Sequence, residues 1–330
     1  MLSIGNLTVD SSLVLAPMAG ISDLPFRMIS RSLGCRLAFT EMISANSLVR
    51  RNSTTLKMLS TNAEDRPLGV QILGGDPDMI KEALDILSGH AFDIIDLNCA
   101  CPVHKVVSKG EGAGLLRQPA ILQKLLEAAV SSTDLPVTVK IRSGWDTSSV
   151  NAAEIAIRAE DAGVKGVFIH GRTRMQGYRG QVDYTIIRKV KESLKIPVIA
   201  SGDALSPHLI KKMFDETGCD GVALARGSLG NPWIFRNAAE YLKSGKVPFS
   251  LELQERVRTM KQHLDLLIAF HGEKSGVILF RKFFTWYTKG MAVKKLRLEA
   301  FHAATKDKMC RLIAELQTLP DDHGICSGPV

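Results

Sequence analysis

A (β/α)8 barrel of the TIM type, followed by a small all-helical C-terminal domain, is the fold this sequence predicts. Eight short apolar runs alternate with amphipathic stretches between residue 12 and about residue 230. Strands separated by helix-length crossovers form a parallel sheet, and eight is the number that closes one into a barrel. Beyond residue 241 the β-type runs stop and only helical periodicity continues. An open doubly wound sheet is the competing architecture, but the glycine-rich turn it needs after its first strand is missing; the first run ends Ala16-Pro-Met-Ala-Gly20.

The strand-like runs fall at 13–16, 37–40, 68–73, 92–97, 137–141, 166–169, 198–200 and 221–224. Helical stretches at 77–87, 120–130, 151–162, 184–194 and 207–214 lie between them. Gly163 and Gly218 follow helical runs directly, the placement of a left-handed C-cap. These elements give a barrel over residues 1–243 and a linker over 244–250, Ser-Gly-Lys-Val-Pro-Phe-Ser. A helical domain of about three helices then spans 251–319, its first stripe running through Leu253, Val257, Met260, Leu264, Leu267 and Ile268; a polar tail closes the chain at 320–330.

Composition narrows the class. The chain has 330 residues, 45% hydrophobic and 23% charged, which is ordinary for a globular protein and excludes collagen-like or disordered chains. No apolar stretch approaches the ~18 residues that span a bilayer, and the N-terminus lacks a cationic segment leading into an apolar one. A soluble cytoplasmic monomer with no membrane partner is expected. The six cysteines form no CxxC pair, so neither a zinc ribbon nor a disulfide framework is indicated. Charge is uneven: residues 251–319 hold 13 basic and 7 acidic side chains, a net +6 out of +8 for the whole chain. A near-neutral body with a basic appendage suits a polyanion such as nucleic acid, although a solvated lysine-rich surface is the plainer account of charge alone.

Barrel chemistry sits where the strands end. Those ends carry Pro17, Met18 and Ala19, then Glu41, Gln71, Asn98, Lys140, His170, Ser201-Gly202-Asp203 and Ala225-Arg226-Gly. Taken singly, Lys140 and His170 read as an ion pair and a satisfied core histidine. Taken with six successive polar strand ends, they read as a pocket, because burying them unpaired costs several kcal/mol. Glycine-bearing loops after the last two strands match the place where barrels bind phosphate, and Arg226 adds a charge there. A phosphate-bearing cofactor follows, and flavin mononucleotide (FMN) fits. Lys140 would sit at its N1/O2 edge and Gln71 would bond the ring, while Pro17, Met18 and Ala19 form an apolar wall.

The segment after the fourth run, Asp96-Leu-Asn98-Cys-Ala-Cys101-Pro102, leads into a glycine-rich stretch and suggests a mobile lid carrying a thiol. A thiol with the usual pKa of about 8.5 is protonated near neutrality and suits a general acid. As a nucleophile it would need a base, for which His104 is the local candidate. As a metal ligand it lacks partners at zinc spacing, so no metal is expected.

Several motifs together resemble the tRNA-dihydrouridine synthases, most nearly the bacterial B-type enzymes. They are Ala16-Pro-Met-Ala-Gly-Ile-Ser-Asp23, Pro25-Phe-Arg27, Glu41-Met42, Gln71, Asn98-x-x-Cys101-Pro102, Gly112-Ala-Gly-Leu-Leu116, Val139-Lys-Ile-Arg142, His170-Gly-Arg-Thr-Arg174 and Pro232-Trp-Ile-Phe235. The likeness covers the barrel and continues more loosely through Arg281-Lys and Trp286-Tyr287. It implies FMN in the barrel mouth, NADPH as reductant, hydride transfer to C6 of a tRNA uridine and protonation of C5 by Cys101. It also implies FMN contacts from Pro17, Met18, Ala19, Gln71, Lys140, His170, Ser201, Gly202, Asp203, Ala225 and Arg226. Asn98 would sit beside flavin and uracil, and the helical domain would hold the tRNA. Two positions depart from the family pattern: Ser201 stands for the usual Asn and Ala225 for the usual Gly. The Asn-x-x-Cys-Pro register selects Cys101 over Cys99. Arg172 and Arg174 read equally well as phosphate contacts or structural ion pairs. Two other readings remain: a flavin barrel reducing a free pyrimidine, as dihydroorotate dehydrogenases do, and an RNA-binding barrel without chemistry.

Overall fold

Eight parallel strands close on themselves in the computed structural model, which describes residues 1–246 and 251–318. They are β3 (Leu13–Leu15), β4 (Leu37–Ser44), β5 (Leu68–Leu73), β6 (Ile94–Cys99), β7 (Val137–Arg142), β8 (Gly166–His170), β9 (Val198–Ser201) and β10 (Gly221–Leu224), with β10 pairing back onto β3. Every run expected from the sequence is a strand. Five of them run further at the C-terminal end, β6, β7, β8 and β9 by one or two residues and β4 by four, because polar residues there still pair with neighbours, as Asn98 does with Lys140.

Two shorter strands precede the barrel, β1 (Leu2–Ile4) and β2 (Leu7–Val9), forming an antiparallel hairpin that the sequence reading did not separate out. Leu2, Ile4 and Val9 pack with Val14, Leu37, Ile94 and Ile199, so the hairpin closes the N-terminal end of the barrel with apolar side chains. Above that floor Phe39 and Phe168 meet edge to face at 5.3 Å. Gly69 makes the room: a Cβ there would lie 2.2 Å from the Phe39 ring. A register shift in the β4–β5 pairing between Phe39 and Met42 is the sort of bulge that re-aims side chains beside a site.

The surrounding helices begin where the sequence supplies caps. Asp23 before α1 (Leu24–Ser32) accepts from the Phe26 N–H at 3.1 Å, and Ser206 before α9 (Pro207–Thr217) accepts from Leu209 at 3.2 Å. Each is followed closely by a proline that suits the first helical turn. The ring is completed by α2 (Ala45–Val49), α3 (Ser53–Met58), α4 (Pro77–Ser88), α5 (His104–Val107), α6 (Pro119–Val130), α7 (Ala152–Asp161), α8 (Tyr184–Ser193) and α10 (Ile234–Ser244). Gly218 takes the left-handed C-cap expected of it, at φ +68°.

The C-terminal part contains four α-helices among the described residues rather than about three: α11 (Leu253–His271), α12 (Glu273–Tyr287), α13 (Lys294–His302) and α14 (Lys306–Glu315). Helical spacing of apolar residues runs on from Leu296 to Leu316, but the helix is interrupted at Ala303, whose backbone turns extended, and restarted by Thr305, whose side chain caps the Lys308 N–H. Ser244, expected to open a linker, is instead the last residue of α10, and Gly245 caps it at φ +72°. Residues 247–250 and 319–330 lie outside the described residues, and with them most of the expected linker and the polar tail.

These helices dock on the barrel rim next to β3 and β10. Phe283 stacks on Phe26 at 5.7 Å, His271 pairs with Asp23 at 2.9 Å, Lys282 donates to the Gly20 carbonyl, and Trp233 donates to Glu255 at 3.1 Å. Among the described residues no helix is long and apolar enough to cross a membrane.

Candidate active site

At the C-terminal mouth of the barrel lies a cavity of about 410 Å³, within the ~300–1,000 Å³ range of small-molecule sites. The thirteen residues expected to react or to bind cofactor and substrate line it: Pro17, Met18 and Ala19 on one wall, Gln71, Asn98, Lys140 and His170 across the strand ends, Cys101 at the rim, and Ser201, Gly202, Asp203, Ala225 and Arg226 on the other side. Glu41, also read as a polar strand end, and His104, the local candidate base, do not line it, and Glu41 accepts from the Gly20 N–H instead. Parallel strands of equal polarity bring residues more than 200 positions apart to one level.

The floor is a hydrogen-bonded layer centred on Asp96, which the sequence reading quoted but gave no role. Its carboxylate accepts from Gln71 Nε2 at 2.7 Å and from Thr138 Oγ1 at 2.8 Å. Burial lifts its pKa to about 6, against the pull of those two donors and of the Lys140 charge. An acidic residue inside the fully buried strand Ile-Ile-Asp-Leu-Asn-Cys was the available signal, because such a group needs partners. Gln71 Oε1 in turn accepts from Asn98 Nδ2 at 2.7 Å. Asn98 Oδ1 then accepts from the Ala100 and Cys101 N–H groups at 3.1 and 2.9 Å, which fixes the backbone bearing the thiol.

Cys101 lines the cavity, whereas Cys99 is fully buried on the other side of the strand. Burial raises the Cys101 thiol above its ordinary value, opposed by the Val103 backbone and Arg142, so it stays protonated at neutral pH. The segment behind it is only partly lid-like. Residues 112–116 are buried, and the Ala113 N–H bonds the Cys101 carbonyl at 3.1 Å, so that half is part of the wall; the exposed portion is around α5.

Lys140 Nζ donates to Ser201 Oγ at 3.2 Å, and Ser201 donates to the Ile169 carbonyl at 3.1 Å. Burial drops the Lys140 pKa to about 8, with Asp96 resisting. His170 is held well below its usual pKa by burial first and then by Arg142, Lys140, Arg172 and Arg226, so it is neutral. Arg172 lies 3.4 Å from His170 Nε2. Because an arginine can only donate, that nitrogen accepts and the proton resides on Nδ1. Asp203, expected to touch a cofactor, has its carboxylate committed to Arg172 at 2.6 Å and Arg226 at 3.3 Å, which answers the open question about Arg172 in favour of an ion pair. Gly202 has φ +108°, and a Cβ there would lie 2.7 Å from the His170 ring, so the β9 loop closes on the histidine only with glycine.

Arg142, which carried the resemblance but no role, ties the mouth together. It donates to the carbonyls of Ala100, Thr173 and Gly177 at 2.8, 3.0 and 2.8 Å, bracing the loops after β6 and β8 beside Cys101. Tyr178, also absent from the expected set, lies over this arginine and Arg226 at 5.6 and 5.2 Å. The cavity as a whole is cationic, with a protonated thiol at its edge.

Closed parallel barrels with polar groups converging at the C-terminal mouth are barrel enzymes as a class. The family model described as dihydrouridine synthase (Dus) matches residues 14–321, and the chain belongs to that family. It is 36% identical over 322 residues to tRNA-dihydrouridine synthase B of Pseudomonas aeruginosa, covering 97% of each chain. Identity to the Pasteurella multocida protein of the same name is 38% over 305 residues, covering 92% of each, and to a probable tRNA-dihydrouridine synthase of Rickettsia conorii 37% over 292 residues, covering 88% of each. Among solved structures, histamine dehydrogenase from Rhizobium sp. 4-9 aligns with a TM-score of 0.57 at 12% identity, over 80% of this chain and 50% of that one. A 2-naphthoyl-CoA reductase complex gives 0.59 at 12%, over 72% and 51%. The chain spans about half of each of those structures, and at such identity the likeness shows the fold alone.

Proposed function

We propose that this enzyme reduces the C5–C6 double bond of uridines in tRNA to 5,6-dihydrouridine, using FMN held in the barrel mouth and NADPH as the reductant. The observation that carries the reading is a protonated, backbone-fixed thiol, Cys101, at the edge of a cavity lined by the cations Lys140, Arg142 and Arg226. Such a cavity suits an anionic cofactor. The donors present fit FMN: the Gly202 loop and Arg226 for its phosphate, Lys140 and Gln71 for the ring edge, neutral His170 beside them, and Pro17, Met18 and Ala19 as the apolar wall. Ser201 keeps Lys140 aimed into the cavity by its hydrogen bond, and Asp203 serves by anchoring Arg226. When bound and reduced, FMN supplies the hydride for C6 of the uracil.

The chain's own groups do the rest. Asn98 holds the Cys101 backbone, and Cys101 gives its proton to C5, after which the thiolate is reprotonated from solvent. The Arg142 charge lies next to the thiolate and lowers its cost. Lys140, held charged by Asp96 below pH 8, stabilises negative charge developing at its end of the cavity. The target uridine must leave its stack to reach this depth. The basic α11–α14 region would hold the RNA through phosphates, making binding strongly salt-dependent.

The test is anaerobic: reduce the FMN-loaded protein with NADPH and follow the visible flavin band on adding bulk tRNA. Rapid reoxidation with tRNA, and none with free uridine or orotate, is the expected result. Reoxidation by the small pyrimidine alone would transfer the chain to the dihydroorotate dehydrogenase-like reading. Lack of any flavin band after FMN is supplied would end the flavin assignment.

A further inference from the structure

Outside the cavity, the loops after β6, β7 and β8 meet in a second cluster. The Trp145 ring carries two guanidinium groups, Arg117 at 4.9 Å and Arg174 at 4.7 Å from its centroid. Arg117 ends the 3-10 turn Gly112–Arg117 and is exposed; Arg174 is half-buried. The cluster is built rather than incidental. The Arg174 N–H bonds the Gly144 carbonyl and the Met175 N–H bonds the Trp145 carbonyl, both at 2.9 Å, locking the loops together. Gly144 is required there, since a Cβ would lie 2.3 Å from the Ser149 carbonyl oxygen.

Among the described residues neither guanidinium pairs with a carboxylate, and Arg174 Nε is buried with no hydrogen-bond partner. The nearby Asp146 is turned into its own loop, where one oxygen accepts from the Ser148 N–H and from both the Ser148 and Ser149 hydroxyls at 2.7–3.0 Å. Two unpaired cations fixed on an indole are a poor way to stabilise a fold and a good way to meet an anion.

Position identifies the anion. The strand order β10-β3-β4-β5-β6-β7-β8-β9 puts β7 diametrically across the barrel from β3, and β6 across from β10. The basic C-terminal helices dock beside β3 and β10, through Gly20, Asp23 and the loop at Gly230. The arginine pair therefore faces them across the mouth that a flipped uridine must enter. We propose that Arg117 and Arg174, held by Trp145, grip the RNA sugar–phosphate backbone on the rim opposite the helical domain, so that the strand carrying the target uridine is clamped on both sides. This rests on the tRNA reading above.

The experiment measures binding of bulk tRNA to the FMN-loaded full chain across a salt series. Each phosphate contact contributes about −0.7 to −0.9 to the slope of log K against log salt. R117Q/R174Q should flatten the slope by about 1.4–1.8 and weaken binding at low salt at least ~tenfold, with flavin reduction by NADPH unchanged. R117Q alone, at an exposed position, should remove about half of that. R117K/R174K should keep the slope, because charge rather than stacking meets the phosphate. An unchanged slope in R117Q/R174Q overturns the proposal, as does a raised KM for NADPH in its place, which would assign the arginines to the dinucleotide. Failure of the wild-type chain to be reoxidised by tRNA would count against the functional reading itself, whereas a flat comparison beside normal wild-type turnover counts only against the clamp.

Discussion

Gly230 is where the last barrel loop presses against the helical domain, and replacing it with alanine should separate the two working parts. A Cβ there would lie 2.2 Å from the Trp286 carbonyl carbon, 2.3 Å from its oxygen and 2.6 Å from the Tyr287 nitrogen. Ordinary contact begins at about 3.4 Å, so the backbone of α12 must retreat by about 1.2 Å. That helix cannot yield alone: Tyr287 packs edge to face on Trp233 at 5.9 Å, its carbonyl accepts from Arg256, and its hydroxyl bonds His263 at 3.1 Å. Overpacking of this kind costs about 1–3 kcal/mol, and the φ of +65° adds ~1–2 kcal/mol for any side chain. Gly230→Ala should thus lose about 2–5 kcal/mol at the barrel–helix contact and leave the strand ends untouched. The assay pairs flavin content and NADPH reduction, expected to stay near wild type, with tRNA-dependent reoxidation, expected to fall. A variant as stable as wild type and fully active on tRNA would refute the argument that this contact positions the helices.

Lys140→Met, in flavin-free protein, should change thermal stability in a pH-dependent way. The lysine's pKa is about 8 folded against 10.5 unfolded, so burying its charge costs stability in full below pH 8, and the cost vanishes as pH rises to about 10.5. The variant's advantage should therefore be greatest near pH 7, up to about 3 kcal/mol less what the lost Ser201 bond contributes, and shrink toward pH 10 while flavin affinity falls. A difference independent of pH would contradict it. Asp65→Asn should destabilise by about 3–5 kcal/mol, because the buried Arg27 guanidinium, paired to Asp65 at 2.7 Å, would be left uncompensated; urea unfolding giving under 1 kcal/mol would reject that.

Much of this was legible in the sequence because the barrel writes its chemistry at strand ends. Apolar runs closing in Gln71, Asn98, Lys140 and His170 mark both the strands and the level at which they meet. Less was legible where partners are distant in the chain. Nothing near Asp203 announces Arg172, and nothing near Asp96 announces Thr138, since parallel register alone brings them together. The N-terminal hairpin was missed because its strands are three residues each, although Gly5-Asn6 between them, with Gly5 at φ +59°, was a turn signal. The break between α13 and α14 hid inside a stripe that kept its period, and only Thr305 as a cap could have revealed it. Arg142 was visible as a motif residue but not as a brace, because its three carbonyl partners lie in loops whose course the sequence does not specify.

The central claim is that Cys101 donates the proton that completes reduction of a tRNA uridine. Cys101→Ala and wild type, both loaded with FMN and supplied with NADPH, can be compared by the rate at which dihydrouridine appears in tRNA, with flavin content and NADPH-driven flavin reduction measured alongside. A general acid contributes about 10²–10⁴-fold, so the variant should keep its flavin and its reduction by NADPH while product formation falls by that factor. Dihydrouridine forming at the wild-type rate without the thiol would contradict the account.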